Sequence, residues 1–217
     1  MRLLSILRNP VVLLYTIPGL LIGLTFHEWA HAFAANKLGD PTAKNMGRMT
    51  LDPTAHVDPL GLLCLLLVGF GWAKPVPVNP RNFKNFKRDD ILVSLAGIAT
   101  NIAIALITTI AYVLIGFFAN LFGSAAFVNI MQGIISINLS LAVFNLIPVS
   151  PLDGSHLFEI VFIRKFPKAV FFLRKYGYYI LIALILLGAT NGFISAAVNA
   201  MYRAFVGVAL KLLMLIA

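Results

Sequence analysis

ILVSLAGIATNIAIALITTIAYVLIGFFAN, residues 91–120, carries no charged side chain. About 20 helical residues cross a hydrocarbon core about 30 Å thick, and this run exceeds that length. Outward from it the pattern recurs. A first apolar span covers Val11–Asn36, and a third covers Ala125–Ile147 after the uncharged loop NLFGSA at 120–125. Tyr176–Ala189 and Phe193–Leu215 read as a closing hairpin around Asn191–Gly192. Of 217 residues, 60% are hydrophobic and 12% charged, where soluble domains carry about a quarter charged. The expected fold is an all-α polytopic membrane protein, a bundle of about five to six transmembrane helices.

The stretches between these spans carry their own signals. Val57–Trp72, VDPLGLLCLLLVGFGW, is apolar but short for a crossing, as a re-entrant segment would be. It is followed by KPVPVNP at 74–80. Alternate residues of a strand point to opposite edges, so Pro75 and Pro77 blank one edge while Val76 and Val78 keep donors on the other. A strand of that kind pairs on one side only, and it suits the capture of an extended peptide by β-augmentation. Gly47–Leu51 is a plausible partner. The bundle is therefore expected to carry a short re-entrant or β-strand-containing loop. Ser155–Pro167 reads as an interfacial segment. The chain divides into a membrane-embedded core at 1–154 and a C-terminal interfacial segment with a hairpin at 155–217.

The formal net charge is +9. Its cations cluster between apolar runs: Lys37, Lys44 and Arg48; Lys74, Arg81, Lys84, Lys87 and Arg88; Arg164, Lys165, Lys168, Arg174 and Lys175. Loops on the cytoplasmic side have this bias, and anionic lipid head groups would meet it. Orientation in a bilayer explains the charge and no nucleic-acid partner is implied. If Val57–Trp72 dips in and returns, the three clusters share one face, with the N-terminus outside and the C-terminus cytoplasmic. Arg2 and Arg8 fall on the opposite face. The first 24 residues resemble a signal peptide but lack a small-residue cleavage site, so they read as part of a retained span. Cys64 is the single cysteine, which excludes an intrachain disulfide and a cysteine-based zinc cluster.

Within the first span, LTFHEWAHAFAANKL (Leu24–Leu38) sets His27, Glu28 and His31 among apolar residues. Ionisable groups at bilayer depth cost a few kcal/mol each, so they mark function by default. His27 and His31 stand four apart, one helical turn, and project from one face. That spacing lets two imidazoles bind one zinc ion while Glu28 acts as general base on the activated water. A catalytic zinc keeps three protein ligands. Asp40, Asp89, Asp90 and Glu159 lie in polar or interfacial stretches and read as solvated. Asp52, His56 and Asp58 flank the short apolar segment. Asp153 follows the third span in FNLIPVSPLDGSHLF, where Pro148 and Pro151 stop the helix and Gly154 permits an unusual turn. Irregular backbone near a membrane belongs where it lines a cavity. Asp153 is the candidate third ligand, with His156 able to substitute. Asn145 is a candidate hydrogen-bond donor to substrate or to a ligand. His56 is placed either as support for the site or as a cap of the turn DPTAHVDP.

These residues resemble the site-2 protease family of intramembrane zinc metalloproteases. The likeness rests on His27-Glu28-x-x-His31, on Asn145-x-x-Pro148 leading to Leu152-Asp153-Gly154, and on GRMTLDPTAHVDPLG (47–61), GWAKPVPVNPRNF (71–83) and SLAGIATN (94–101). Ile98 stands where the family often has proline, and Asp52 where asparagine is common. The short form, without a PDZ domain, is similar to compact bacterial members. The resemblance implies Zn²⁺ on His27, His31 and Asp153, Glu28 as base, and cleavage of a transmembrane protein or peptide substrate near the cytosolic leaflet. It also implies an integral protein of the bacterial inner membrane with its active site toward the cytoplasm. A membrane metal-ion transporter and a catalytically inactive membrane-binding homologue are the alternatives.

Overall fold

The computed structural model describes residues 10–68 and 71–217; Arg2 and Arg8 lie outside the described residues. Helix α1 (Pro10–Lys37) is followed by two single turns, α2 (Thr42–Asn45) and α3 (Pro53–His56), then by α4 (Pro59–Val68). Next come α5 (Phe86–Phe118), α6 (Ala125–Asn145), α7 (Asp153–Phe162), α8 (Pro167–Leu186) and α9 (Asn191–Ile216). Four of these, α5, α6, α8 and α9, are long and apolar enough to cross a membrane. With 28 residues and about 1.5 Å per residue, α1 is also long enough. The protein is an all-α polytopic membrane protein.

Helix boundaries depart from the apolar runs where polar residues cap them. Asn85 accepts from the Arg88 N–H and the Asp89 carboxylate accepts from the Asn85 N–H. This reciprocal cap starts α5 in the polar stretch, five residues before the hydrophobic run that marks its span. Likewise α8 starts at Pro167, which occupies the first turn where its missing N–H costs nothing. Its charged first half is invisible to a hydropathy reading. Large apolar side chains face outward along the spans, among them Ile107, Phe118, Leu186 and Leu215, as lipid-facing surfaces require.

At the centre α1, α5 and α6 pack on one another, and α9 covers the pair α5–α6. Ala105, Ile135 and Leu139 are buried there beneath Val198, Met201, Tyr202 and Phe205. The C-terminal hairpin thus packs partly onto the core, and α7 runs across position 154.

No sheet forms among the described residues. The expected strand-bearing loop reduces to one antiparallel bridge between Val57 and Ala73. That bridge joins the two ends of the short apolar segment, so the chain leaves and returns at one place, as a re-entrant element does. Gly47–Leu51 makes no backbone pairing with 74–78 among the described residues. Instead the Lys74 N–H donates to the His56 carbonyl at 2.8 Å, and the Arg48 guanidinium donates to the carbonyls of Lys74 and Pro75. Prolines at 75 and 77 cannot donate to a ladder, so a side chain ties the segment down.

Candidate metal centre

Four elements meet at one end of the bundle: the last turns of α1, the first turns of α5, the break after α6, and α7. His27, Glu28 and His31 sit on α1 and are all buried, between 6% and 8% exposed. Asp153 opens α7, immediately after a break held by Val149 and Leu152 packed on Leu181 of α8. Gly154 is helical rather than unusually turned. Its role is closeness, because a Cβ there would stand 2.4 Å from the Leu146 carbonyl oxygen.

Three ligand atoms converge. His27 Nε2 and His31 Nε2 are 3.0 Å apart, and Asp153 Oδ2 lies 3.2 Å from the first and 3.3 Å from the second. Donors at 2.0–2.2 Å from a tetrahedral zinc stand about 3.4 Å from one another, so this triangle is one face of such a site to within a few tenths of an ångström. The donor set also has its protons elsewhere. The His27 Nδ1–H donates to Asn101 Oδ1 at 2.7 Å, and the His31 Nδ1–H donates to the Val93 carbonyl at 2.8 Å. With its Nδ1 proton so engaged, a neutral ring turns an Nε2 lone pair inward, beside a carboxylate oxygen that is buried without a hydrogen-bond partner. Two lone pairs and a carboxylate at this separation repel one another unless a cation joins them. Engagement of the second ring nitrogen is how metal-binding histidines are held. The residues fit zinc.

Room for the rings comes from α5. A Cβ on Gly97 would lie 2.6 Å from His27 Cε1 and 2.6 Å from His31 Nε2, so only glycine lets α5 pass this close.

Glu28 does not join the ligand triangle. Its Oε2 accepts the Val76 N–H at 2.8 Å, which brings the 74–80 segment against α1. The donor expected to stay open at Val76 is therefore occupied by the protein itself. Val76 is 9% exposed and packs on Ala32 and Ala43, with Val78 alongside. His56 is fully buried and its Nε2–H donates to the Thr50 carbonyl at 2.7 Å. It fastens the turn before α4 and is outside the ligand group. Asn145 turns its amide N–H back onto the Leu141 carbonyl of its own helix at 3.0 Å. His156 stands 3.1 Å from Asp90, so Asp153 and not His156 completes the triangle.

The acidic residues read as solvated are largely not. Asp40 and Asp89 are fully buried and Asp90 is 7% exposed. Asp40 accepts from the backbone N–H groups of Thr42 and Asn79 and from the Asn82 amide. These donors replace water, and they outweigh the burial that pushes its carboxyl upward, holding it below the usual carboxylate range. Asn101, Gly97 and Val93 were not assigned roles from the sequence. The buried cost of a polar group in an apolar span, which singles out His27, applies equally to Asn101.

The profile of peptidase family M50 matches residues 15–188. YwhC of Bacillus subtilis, named as a candidate zinc metalloprotease, is 41% identical over 152 residues, covering 67% of this chain and 68% of that protein. Rip2 of Mycobacterium tuberculosis, named likewise, is 31% identical over 189 residues, covering 83% of this chain and 70% of its own. Rip2 of Mycolicibacterium smegmatis is 29% identical over 193 residues with the same coverage. No solved structure matches the chain.

Proposed function

The chain belongs to peptidase family M50, the site-2 protease family, and on that premise we propose that it is an intramembrane zinc endopeptidase. Its substrates are other membrane proteins or membrane-anchored peptides, cut in or near their transmembrane segments. The observation that carries this reading is the triangle of His27 Nε2, His31 Nε2 and Asp153 Oδ2, with sides of 3.0 to 3.3 Å, lying between apolar helices.

His27, His31 and Asp153 hold the zinc. When bound, zinc polarises the scissile carbonyl and lowers the pKa of water toward about 7. Glu28 Oε2 is engaged by the Val76 N–H, which leaves Oε1 to take the proton from the attacking water and return it to the leaving nitrogen. Asn145 is proposed as a donor to the substrate carbonyl once it leaves Leu141. His56 supports the site at one remove, since its carbonyl anchors Lys74 and its ring anchors Thr50.

A helical substrate must unwind before its peptide bonds can be attacked. The Val76 N–H faces Glu28, so an extended substrate laid along the Val76–Val78 segment would meet the base where Val76 now donates. The bias of the cationic clusters supports an orientation with this end of the bundle at the cytoplasmic face of the cell membrane, where anionic lipid would meet Arg164, Lys165 and Lys168.

The test is zinc stoichiometry in detergent for wild type, Asp153→Ala and Glu28→Gln, each alongside cleavage of a generic transmembrane substrate. About one zinc in wild type and Glu28→Gln, loss in Asp153→Ala, and cleavage by wild type alone is the expected result. Zinc indifferent to Asp153, or cleavage that survives Glu28→Gln, refutes the assignment.

A further inference from the structure

Two asparagines are buried in the middle of apolar helices with nothing in the proposed reaction to occupy them. Asn101 of α5 and Asn138 of α6 are both 0% exposed. Polar side chains at this depth carry a desolvation cost, and water cannot reach either one. Their hydrogen bonds form a directed chain. Asn138 Nδ2 donates to the Ile134 carbonyl at 2.9 Å, which turns Asn138 Oδ1 toward α5. That oxygen accepts from Asn101 Nδ2 at 2.9 Å. The same Asn101 amide donates to the Gly23 carbonyl of α1 at 3.0 Å. Asn101 Oδ1 is then left facing His27 Nδ1 at 2.7 Å.

Each step forbids reversal of the next. Flipping the Asn101 amide would set its NH2 against the His27 Nδ1–H and its oxygen against Asn138 Oδ1 and the Gly23 carbonyl. Flipping Asn138 would oppose two amide donors on one side and two carbonyl oxygens on the other. An unmatched buried polar group costs more than a hydrogen bond contributes, so the two amides lock each other. A neutral imidazole carries one N–H, and the bond made by one nitrogen decides the state of the other.

We propose that Asn138 is a positioning residue that acts through Asn101 to hold His27 as its Nδ1–H tautomer, so that His27 Nε2 presents a lone pair to zinc. This rests on the zinc-site reading above and adds a residue on a third helix, α6, that touches neither metal nor substrate. Packing of α6 is thereby coupled to metal affinity. The wrong tautomer would point an Nε2–H at His31 Nε2 and Asp153 Oδ2 and would have to be displaced before zinc could bind.

The experiment uses the full-length protein in detergent and compares wild type, Asn101→Leu, Asn138→Ala, Asn138→Asp and the double Asn101→Leu/Asn138→Ala variant. Zinc affinity is measured by competition with a chromogenic chelator, using the zinc ion alone. The His27 tautomer is read from nitrogen chemical shifts of the zinc-free protein labelled at histidine. Asn101→Leu is expected to lose roughly 10- to 100-fold in zinc affinity, the range for removal of a group that holds a ligand. Asn138→Ala should lose about tenfold, and the double variant should be no worse than Asn101→Leu, because residues acting in series are not additive. Asn138→Asp, neutral at this apolar depth, can donate its O–H to the Ile134 carbonyl and keep the acceptor for Asn101, so it should restore both the tautomer and the affinity.

Unchanged His27 shifts and affinity in Asn138→Ala overturn the proposal, as does full additivity in the double variant. If Asn138→Ala does not fold, failure of Asn138→Asp to keep the Nδ1–H tautomer overturns it as well. The protease reading is separable. Wild type that binds zinc with these dependences yet cleaves nothing leaves the relay standing and removes the peptidase.

Discussion

The Val76 backbone N–H donates to Glu28 Oε2 across 2.8 Å, joining the segment after α4 to the residue proposed as general base. One main-chain donor thus sets the orientation of a buried carboxylate on another element. Val76→Pro removes that donor. Cleavage should fall roughly 10- to 100-fold, less than the 10²–10⁴ typical of a general base lost outright, while bound zinc stays at the wild-type level. Loss of zinc in this variant would show that the segment supports the ligands instead.

Arg48 holds the same segment from its other side through the carbonyls of Lys74 and Pro75. Arg48→Ala should raise the KM for a transmembrane substrate several-fold with little change in zinc content. An unchanged KM would separate the Arg48 contact from substrate binding.

At Gly97 the prediction is steric. A methyl group would enter within 2.6 Å of both imidazoles, and the rings must move because α5 cannot retreat from α1 without opening the core. Gly97→Ala should weaken zinc roughly tenfold or more while the protein still elutes as wild type. Chelator competition gives the number directly.

Asp40 supplies a pH signature. Its carboxyl is held below the usual value by the Thr42, Asn79 and Asn82 donors, so the folded state binds its proton less readily than the unfolded one. The stabilisation is complete above the unfolded pKa of about 4 and is lost as pH falls toward the lowered folded value. Melting temperatures in detergent between about pH 6 and 3 should therefore converge for wild type and Asp40→Asn on the acid side. A constant gap across that range would refute the linkage.

Glu159 and Arg174 pair at the exposed surface between α7 and α8. Exposed pairs contribute about 0–1 kcal/mol, so Arg174→Gln should leave both stability and cleavage near wild type. A large loss would mean that this contact, and not the packing of Val149 and Leu152 on Leu181, positions Asp153.

Apolar run length carries the helices and their order, because lipid demands long uncharged segments and tolerates little else. Spacing along one helix carries His27, Glu28 and His31, because four residues make one turn. The proline-broken stretch after α6 carries Asp153. By contrast, the burial of Asp40, Asp89 and Asp90 is not legible in the sequence, since a polar neighbourhood says nothing about whether backbone donors or water will meet a carboxylate. The partner of the Val76 N–H is hidden for a similar reason: alternation along a strand tells which way an N–H points, not what lies there.

The sequence by itself determined a multi-span helical protein and the chemistry of its candidate ligands, which follow from hydropathy and local period, and its motifs carry the resemblance to the family to which it belongs. Only the tertiary structure decided that Asp153 closes the triangle with His27 and His31, that Gly97 admits the two rings, that Glu28 is held by Val76, and that Asn138 reaches His27 through Asn101. Those relationships join residues as far as 126 positions apart, from His27 to Asp153. They depend on how α1, α5 and α6 pack, and packing brings together side chains that no period along the chain relates.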